Sequence, residues 1–216
     1  MPAKNIVKTY VKNSYYHIYN RGVEKRDVFE ISWDYKHFID TLLYYQLEGP
    51  KPRFSQFSKN QIFKPNLDKK IVDIVCYCLM PNHLHLLLKQ VKENGITEFI
   101  SKLSNSYTKY FNTKYKRIGP LLQGEFKAEL VKSDEHLIHV SRYIHLNPLV
   151  SYLVKDLSLY RWSSYHEYIN GDKGICQKDD VLAFFKSPKH YKQFVLDQAD
   201  YAISLELIKH QVLEEF

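Results

Sequence analysis

The sequence predicts an α+β fold, with one antiparallel sheet of the split βαβ type, helices packed on it, and a helical extension at the C-terminal end. Three observations predict it. Short apolar and aromatic runs alternate with longer stretches whose apolar residues recur every three or four positions. These segments follow the order strand, helix, strand, strand, helix, strand, and then helices only. Pro81-Asn82 separates two adjacent strand-like runs, which places a turn between them.

The first strand is Tyr15 to Tyr19, and Asn20-Arg21-Gly22 breaks it. Trp33 to Leu47 reads as a helix, because Phe38, Leu42 and Tyr45 share a helical spacing and Asp34 places a negative charge at its start. Glu48 to Asn66 is rich in polar residues and contains Pro50, Pro52 and Pro65, so a long loop is expected. Lys70 to Met80 and His83 to Lys89 are the next two strands, and their continuous apolar character predicts central strands covered on both faces. Asn94-Gly95 marks a turn and Thr97 is a candidate N-cap. The helix that follows carries Phe99, Ile100, Leu103, Tyr107, Tyr110 and Phe111 and runs to about Tyr115. Phe126 to Val131 alternates like a strand. Ser133-Asp134-Glu135 then caps a helix expected to stop at Pro148, where Asn147 is a candidate end cap. Gly171-Asp172-Lys173-Gly174 reads as a linker, which divides the chain into a domain of residues 1–170 and a helical extension of residues 171–216.

A chain of 216 residues is long enough for one domain and such an appendage. No run approaches the roughly 18 apolar residues of a membrane span, and Met1 to Tyr10 is polar and basic. A cytoplasmic location and no membrane partner are expected. A formal charge of +7 and a pI near 9.1 favour a polyanionic partner. The 18 tyrosines and 12 phenylalanines add rings that stack on unpaired bases.

The chemistry concentrates in Pro81-Asn82-His83-Leu84-His85. Alternate residues of a strand share a face, so His83 and His85 project side by side. Paired imidazoles in an apolar strand point to a metal, since neutral imidazole is the commonest metal-binding side chain. Tyr143 and Asn147 lie four apart on one helical face. An amide oxygen is a hard ligand of the kind Mg²⁺ or Mn²⁺ accepts. Two imidazoles and one amide leave positions open for an oxygen of a phosphate, whose phosphorus a tyrosine one turn away, Tyr143, could attack. Free tyrosine, with a pKa of roughly 10, is a weak nucleophile, and polarisation of the phosphate by a metal compensates. Cys76 and Cys78 beside the histidines raise a second reading, a structural zinc site of Cys76, Cys78, His83 and His85. Buried thiols inside an apolar strand are the plainer expectation.

His83-Leu84-His85 resembles the histidine-hydrophobic-histidine motif of HUH endonucleases. Tyr143-Ile144-His145-Leu146-Asn147-Pro148 resembles the tyrosine helix of the single-tyrosine transposases, and the REP-associated tyrosine transposases are a closer match within that group. Tyr16 to Gly22, Leu79 to Leu87, Tyr107 to Asn112, Gln123 to Lys127 and Trp162-Ser163-Ser164-Tyr165 are similar to further recurring pieces, in the same order. The resemblance implies a ferredoxin-like (HUH nuclease) fold. It implies cleavage of single-stranded DNA beside a hairpin or palindrome, through a covalent 5′-phosphotyrosine and a free 3′-hydroxyl that permits strand transfer. Carried onto this chain, His83, His85 and Asn147 are metal ligands for Mg²⁺ or Mn²⁺, and Tyr143 is the nucleophile. Arg21, Lys25, Arg26 and Lys127 are candidate DNA contacts. Glu125 stands where the family's pattern leads one to expect arginine, which removes one phosphate contact. The resemblance leaves monomer and homodimer open, and a non-cleaving hairpin-DNA-binding regulator is the alternative.

Overall fold

In a computed structural model of the chain, residues 9–49, 52–57, 66, 68–171 and 173–205 are described. Their elements are β1 (Tyr15–Arg21), α1 (Ser32–Tyr45), α2 (Phe54–Phe57), β2 (Val72–Met80), β3 (His83–Gln90), α3 (Gly95–Lys114), β4 (Lys127–Leu130), α4 (Asp134–Val150), α5 (Tyr165–Ile169), α6 (Asp179–Leu182) and α7 (Pro188–Leu196). The strands form one antiparallel sheet in the order β2-β3-β1-β4. With α1 linking β1 to β2 and α3 linking β3 to β4, this is the ferredoxin-like split βαβ arrangement expected from the order of segments.

Alternation along the strands separates two cores. Tyr16 and Ile18 of β1 and Leu84, Leu86 and Leu88 of β3 face Phe38 and Leu42 of α1 and Phe99, Leu103, Tyr107 and Phe111 of α3. Cys76, Cys78 and Met80 of β2 and Leu87 of β3 face the other way, onto Leu137, Val140 and Ile144 of α4. Tyr165, Tyr168, Val181, Tyr191 and Val195 join this second core, so the helices after Trp162 are built into the layer that holds α4. A large apolar side chain fully buried in this way contributes about 1.5–3 kcal/mol. The strands at the centre are thus covered on both faces, which accounts for their continuous apolar runs.

Polar anchors fix the helices. The fully buried Asp34 carboxylate accepts from the Glu30 and Ile31 backbone N–H groups at the start of α1 and from Tyr110, Lys114 and Tyr115 across at α3. Burial works against its charge, but these bonds outweigh burial and hold its pKa below the usual carboxylate range.

Three local expectations are corrected. Helix α3 begins at Gly95, with Asn94 in the left-handed region at the cap position, so Thr97 lies inside it. Gly95 is required there because a Cβ would stand 2.2 Å from the Ile71 carbonyl oxygen. Helix α4 continues through Pro148 to Val150, giving up at Pro148 the one bond that a backbone N–H there would make to the Ile144 carbonyl. Asn147 is therefore a buried helical residue and not an end cap. The loop expected from Glu48 to Asn66 contains α2, and its residues 50–51 and 58–65 lie outside the described residues.

Candidate active site

Residues paired across an antiparallel sheet point to the same side, so the register places the site. His85 pairs with Cys78 on β2 and Tyr19 on β1, and Tyr19 in turn pairs with Lys127 on β4. His83 pairs with Met80 and Arg21, while His17 pairs with Leu87 and Glu129. The face therefore runs from apolar β2, covered by α4, to polar side chains on β1 and β4. The two histidines of β3 stand at the boundary.

Helix α4 brings Tyr143 to that boundary. Its ring lies edge-on to His85 and His17, with centroids 5.5 Å and 5.8 Å away. The His83 and His85 centroids are 5.1 Å apart. Tyr143 is 51% exposed, whereas His85 is buried. Asn147, one turn further along, donates its amide Nδ2 to the Tyr143 carbonyl at 2.8 Å. Helix α4 is held by His145, which points away from the site. Its Nδ1 meets the Tyr191 hydroxyl at 2.7 Å and its Nε2 meets Ser164 Oγ at 2.8 Å. Ser164 also bonds the Tyr77 backbone N–H, so one buried histidine ties α4 to β2 and α7 together.

The turn between β2 and β3 is fixed as firmly. The Pro81 carbonyl accepts from Val28 and Phe29, and the Asn82 carbonyl accepts from Gly22. Asn82 donates its side-chain amide to the Lys25 carbonyl at 3.2 Å, and its Oδ1 lies 2.6 Å from His83 Nδ1. An amide oxygen only accepts, so His83 carries a proton on Nδ1, and the neutral ring then has its lone pair on Nε2.

His17 is the residue that the sequence did not single out. Its Nε2 lies 3.0 Å from His85 Nδ1. Burial pushes the His17 pKa down to about 4, with Glu129 pulling the other way. Burial, then the neighbouring His17 and His83 rings, hold His85 well below the ordinary histidine value. Both are neutral at pH 7, the form that binds metals. When the proton between them sits on His85 Nδ1, His85 Nε2 also carries a lone pair. A histidine ligand whose other nitrogen is held by a neighbouring group is the usual surrounding of a metal site.

This donor set fits an open site for a divalent ion. Among the described residues, no group of three or more His, Cys, Asp or Glu is arranged to enclose a metal. Two imidazoles without a closing cage leave positions for substrate oxygens. The zinc reading fails on geometry. Among the described residues no three of Cys76, Cys78, His83 and His85 come together to hold a metal, and both thiols are fully buried in the second core, where burial pushes their pKa values up. Cys78 Sγ points to Met80 Sδ at 3.6 Å.

The family model described as "Transposase IS200 like" matches residues 10–147, most of the chain and all of this site. The chain belongs to the IS200-like transposase family. A REP-associated tyrosine transposase bound to a REP hairpin is similar in structure, with a TM-score of 0.52 and 16% identity over 83% of this chain and 93% of that one. A protein described as a transposase from Deinococcus radiodurans R1 matches with a TM-score of 0.36 and 16% identity over 66% of this chain and 95% of that one. No match was found among curated proteins. The first of these likenesses supports the fold. α5, α6 and α7 lie beyond the segment that the IS200-like family model covers.

The four basic residues expected to meet DNA fall at unequal places around this IS200-like site. Arg21 is exposed at the end of β1, beside His83 in the register. Lys127 is exposed on β4, with Nζ 5.7 Å from the centre of the Tyr19 ring. Both therefore border the histidines. Arg26 is turned to Glu24, 2.9 Å away, and Lys25 lies in the turn that Asn82 grips. Tyr19 donates to Glu129 at 3.0 Å, adding a polar floor next to His85. Among the described residues no helix is long and apolar enough to cross a membrane.

Proposed function

We propose that this transposase is a metal-dependent single-stranded DNA endonuclease and strand transferase, acting at hairpin or palindromic DNA through a covalent 5′-phosphotyrosine. The observation that carries the reading is the half-exposed Tyr143 ring, 5.5 Å from His85 and on the same side of the sheet as His83. All of these groups come from one chain, which favours a site complete in the monomer. The similar transposase bound to a REP hairpin supports hairpin DNA as the partner.

His83 and His85 would hold Mg²⁺ or Mn²⁺, with Asn147 as the third donor. The chemistry supplied by the bound ion is polarisation of the scissile phosphate. Tyr143 supplies the nucleophile. A bond forms between its hydroxyl oxygen and phosphorus, and the bond from phosphorus to the preceding 3′-oxygen breaks. The tyrosine proton passes to water, and the leaving oxygen takes one up as a 3′-hydroxyl. Attack by a second 3′-hydroxyl on the phosphotyrosine reverses the exchange and joins the strand to a new end. Asn82 and His17 keep the two imidazoles oriented throughout, and Arg21 and Lys127 draw the backbone of the strand to the rim.

Incubation with hairpin oligonucleotides drawn from DNA flanking the gene, in Mg²⁺ or Mn²⁺, tests this reading. The expected result is a denaturant-resistant adduct that maps to Tyr143 and disappears in Tyr143→Phe while DNA binding persists. An adduct formed at full yield by Tyr143→Phe would overturn the assignment. Hairpin binding without an adduct under any divalent metal would leave the regulator reading in its place.

A further inference from the structure

The far side of the sheet carries a second cluster of basic and aromatic residues. Helix α3 presents Lys102, Ser106 and Lys109 on one outer stripe, at spacings of four and three. Together with α1 and α2, that stripe borders a cleft of about 680 Å³. The cleft lies on the α1/α3 layer, across the sheet from His83 and His85. Its size falls within the range of small-ligand sites, about 300–1,000 Å³.

One side of the cleft is aromatic. His37 and Tyr110 stack with centroids 3.7 Å apart and planes 11° from parallel. Phe54 meets His37 edge-on at 5.2 Å. Among the described residues the rest of the lining is polar or basic apart from the buried Tyr45, and it includes no carboxylate. Of the four Lys and Arg side chains among its described residues, two are already engaged, Lys102 by Glu98 at 2.6 Å and Lys114 by Asp34. Arg53 and Lys109 take part in no ion pair among the described residues. Rings beside uncommitted cations match a ligand with a flat π-surface and a phosphate, which is the chemistry of an unpaired nucleotide. A duplex hides its base faces by stacking, so the cleft suits a single strand.

We propose that this cleft is a second nucleic-acid contact, seating one unpaired nucleotide with its base against His37, Phe54 and Tyr110 and its phosphate on Arg53 and Lys109. The proposal rests on the DNA reading above and adds a site to it. A strand held there is anchored away from the cut, so the contact selects substrates that carry a single-stranded segment beside the hairpin.

The test is fluorescence anisotropy of the full chain with a labelled hairpin, with and without a single-stranded tail, across a salt series. Arg53→Ala/Lys109→Ala is expected to weaken binding of the tailed hairpin about tenfold and to flatten its salt dependence by roughly 0.7 in log–log slope, the change for one phosphate of a single strand no longer neutralised. Arg53→Lys/Lys109→Arg should restore binding, and Tyr110→Leu should weaken it without changing the slope. The tail-free hairpin and the yield of the Tyr143 adduct at saturating strand should be unaffected. Equal affinity and slope in wild type and the double alanine variant, with the wild type still forming the adduct, overturn the cleft alone. A loss of the same size on the tail-free hairpin also overturns it. A wild type that binds neither strand and forms no adduct overturns the DNA reading and the cleft together.

Discussion

Single side chains at this site depend on which atom of each neighbour they meet. His83 has Asn82 as its acceptor and His85 has His17 as its partner, so removing either neighbour frees an imidazole to turn or change tautomer. His17→Ala is expected to lower Mn²⁺ affinity about 10–100-fold, measured by calorimetry on the DNA-free protein. Unchanged affinity would show that His85 is oriented without it. The His83–His85 pair was legible in the sequence because strand alternation alone sets two residues on one face. His17 was not, because nothing local says that position 17 on β1 falls diagonally beside position 85 on β3. That neighbour depends on register, which the packing of both faces decides.

At the scale of elements, the position of Tyr143 is that of α4, and α4 is fixed by helices outside the segment the family model matches. His145 spans Tyr191 on α7 and Ser164 next to β2, all of them buried. Tyr191→Phe removes the hydroxyl that partners His145 Nδ1 and Ser141 Oγ and leaves a buried polar group unsatisfied. It is expected to cost about 1–3 kcal/mol in urea unfolding and to slow adduct formation at Tyr143 with little change in DNA affinity. Full stability in that variant would mean that α7 does not anchor α4. The helical periodicity of residues 134–147 was plain from the sequence. Its continuation through Pro148 was not, since a proline signals an end locally while the buried contacts of Leu146 and Asn147 carry the helix on.

For the molecule as a whole, the buried histidines set an acid limit. Burial pushes His145 down to about 3 from an ordinary 6.5, so the unfolded chain binds its proton first as pH falls. A histidine with a depressed folded-state pKa leaves stability complete above about pH 6.5 and lost progressively toward pH 3. At pH 5 the loss from this one group is about 2 kcal/mol. The midpoint of urea unfolding, followed from pH 7.5 to 4.5, should fall more steeply in wild type than in His145→Gln. Parallel curves would mean that His145 is protonated, or hydrated, in the folded protein.

The fold class was within reach of the sequence because each of its signals is local. Alternation marks strands, helical spacing marks helices, and their order admits few sheets. The candidate ligands and nucleophile were legible for a related reason, since His83 with His85 and Tyr143 with Asn147 are each paired within one element. What only the tertiary structure decided is what meets across elements. It placed Tyr143 edge-on to both His85 and His17, set Arg21 and Lys127 at the rim and Arg26 against Glu24, and locked Cys76 and Cys78 into a core. Local spacing fixes which side chains share an element's face, while strand register and helix packing fix which faces meet, and those are set by long-range burial that no short window of sequence contains.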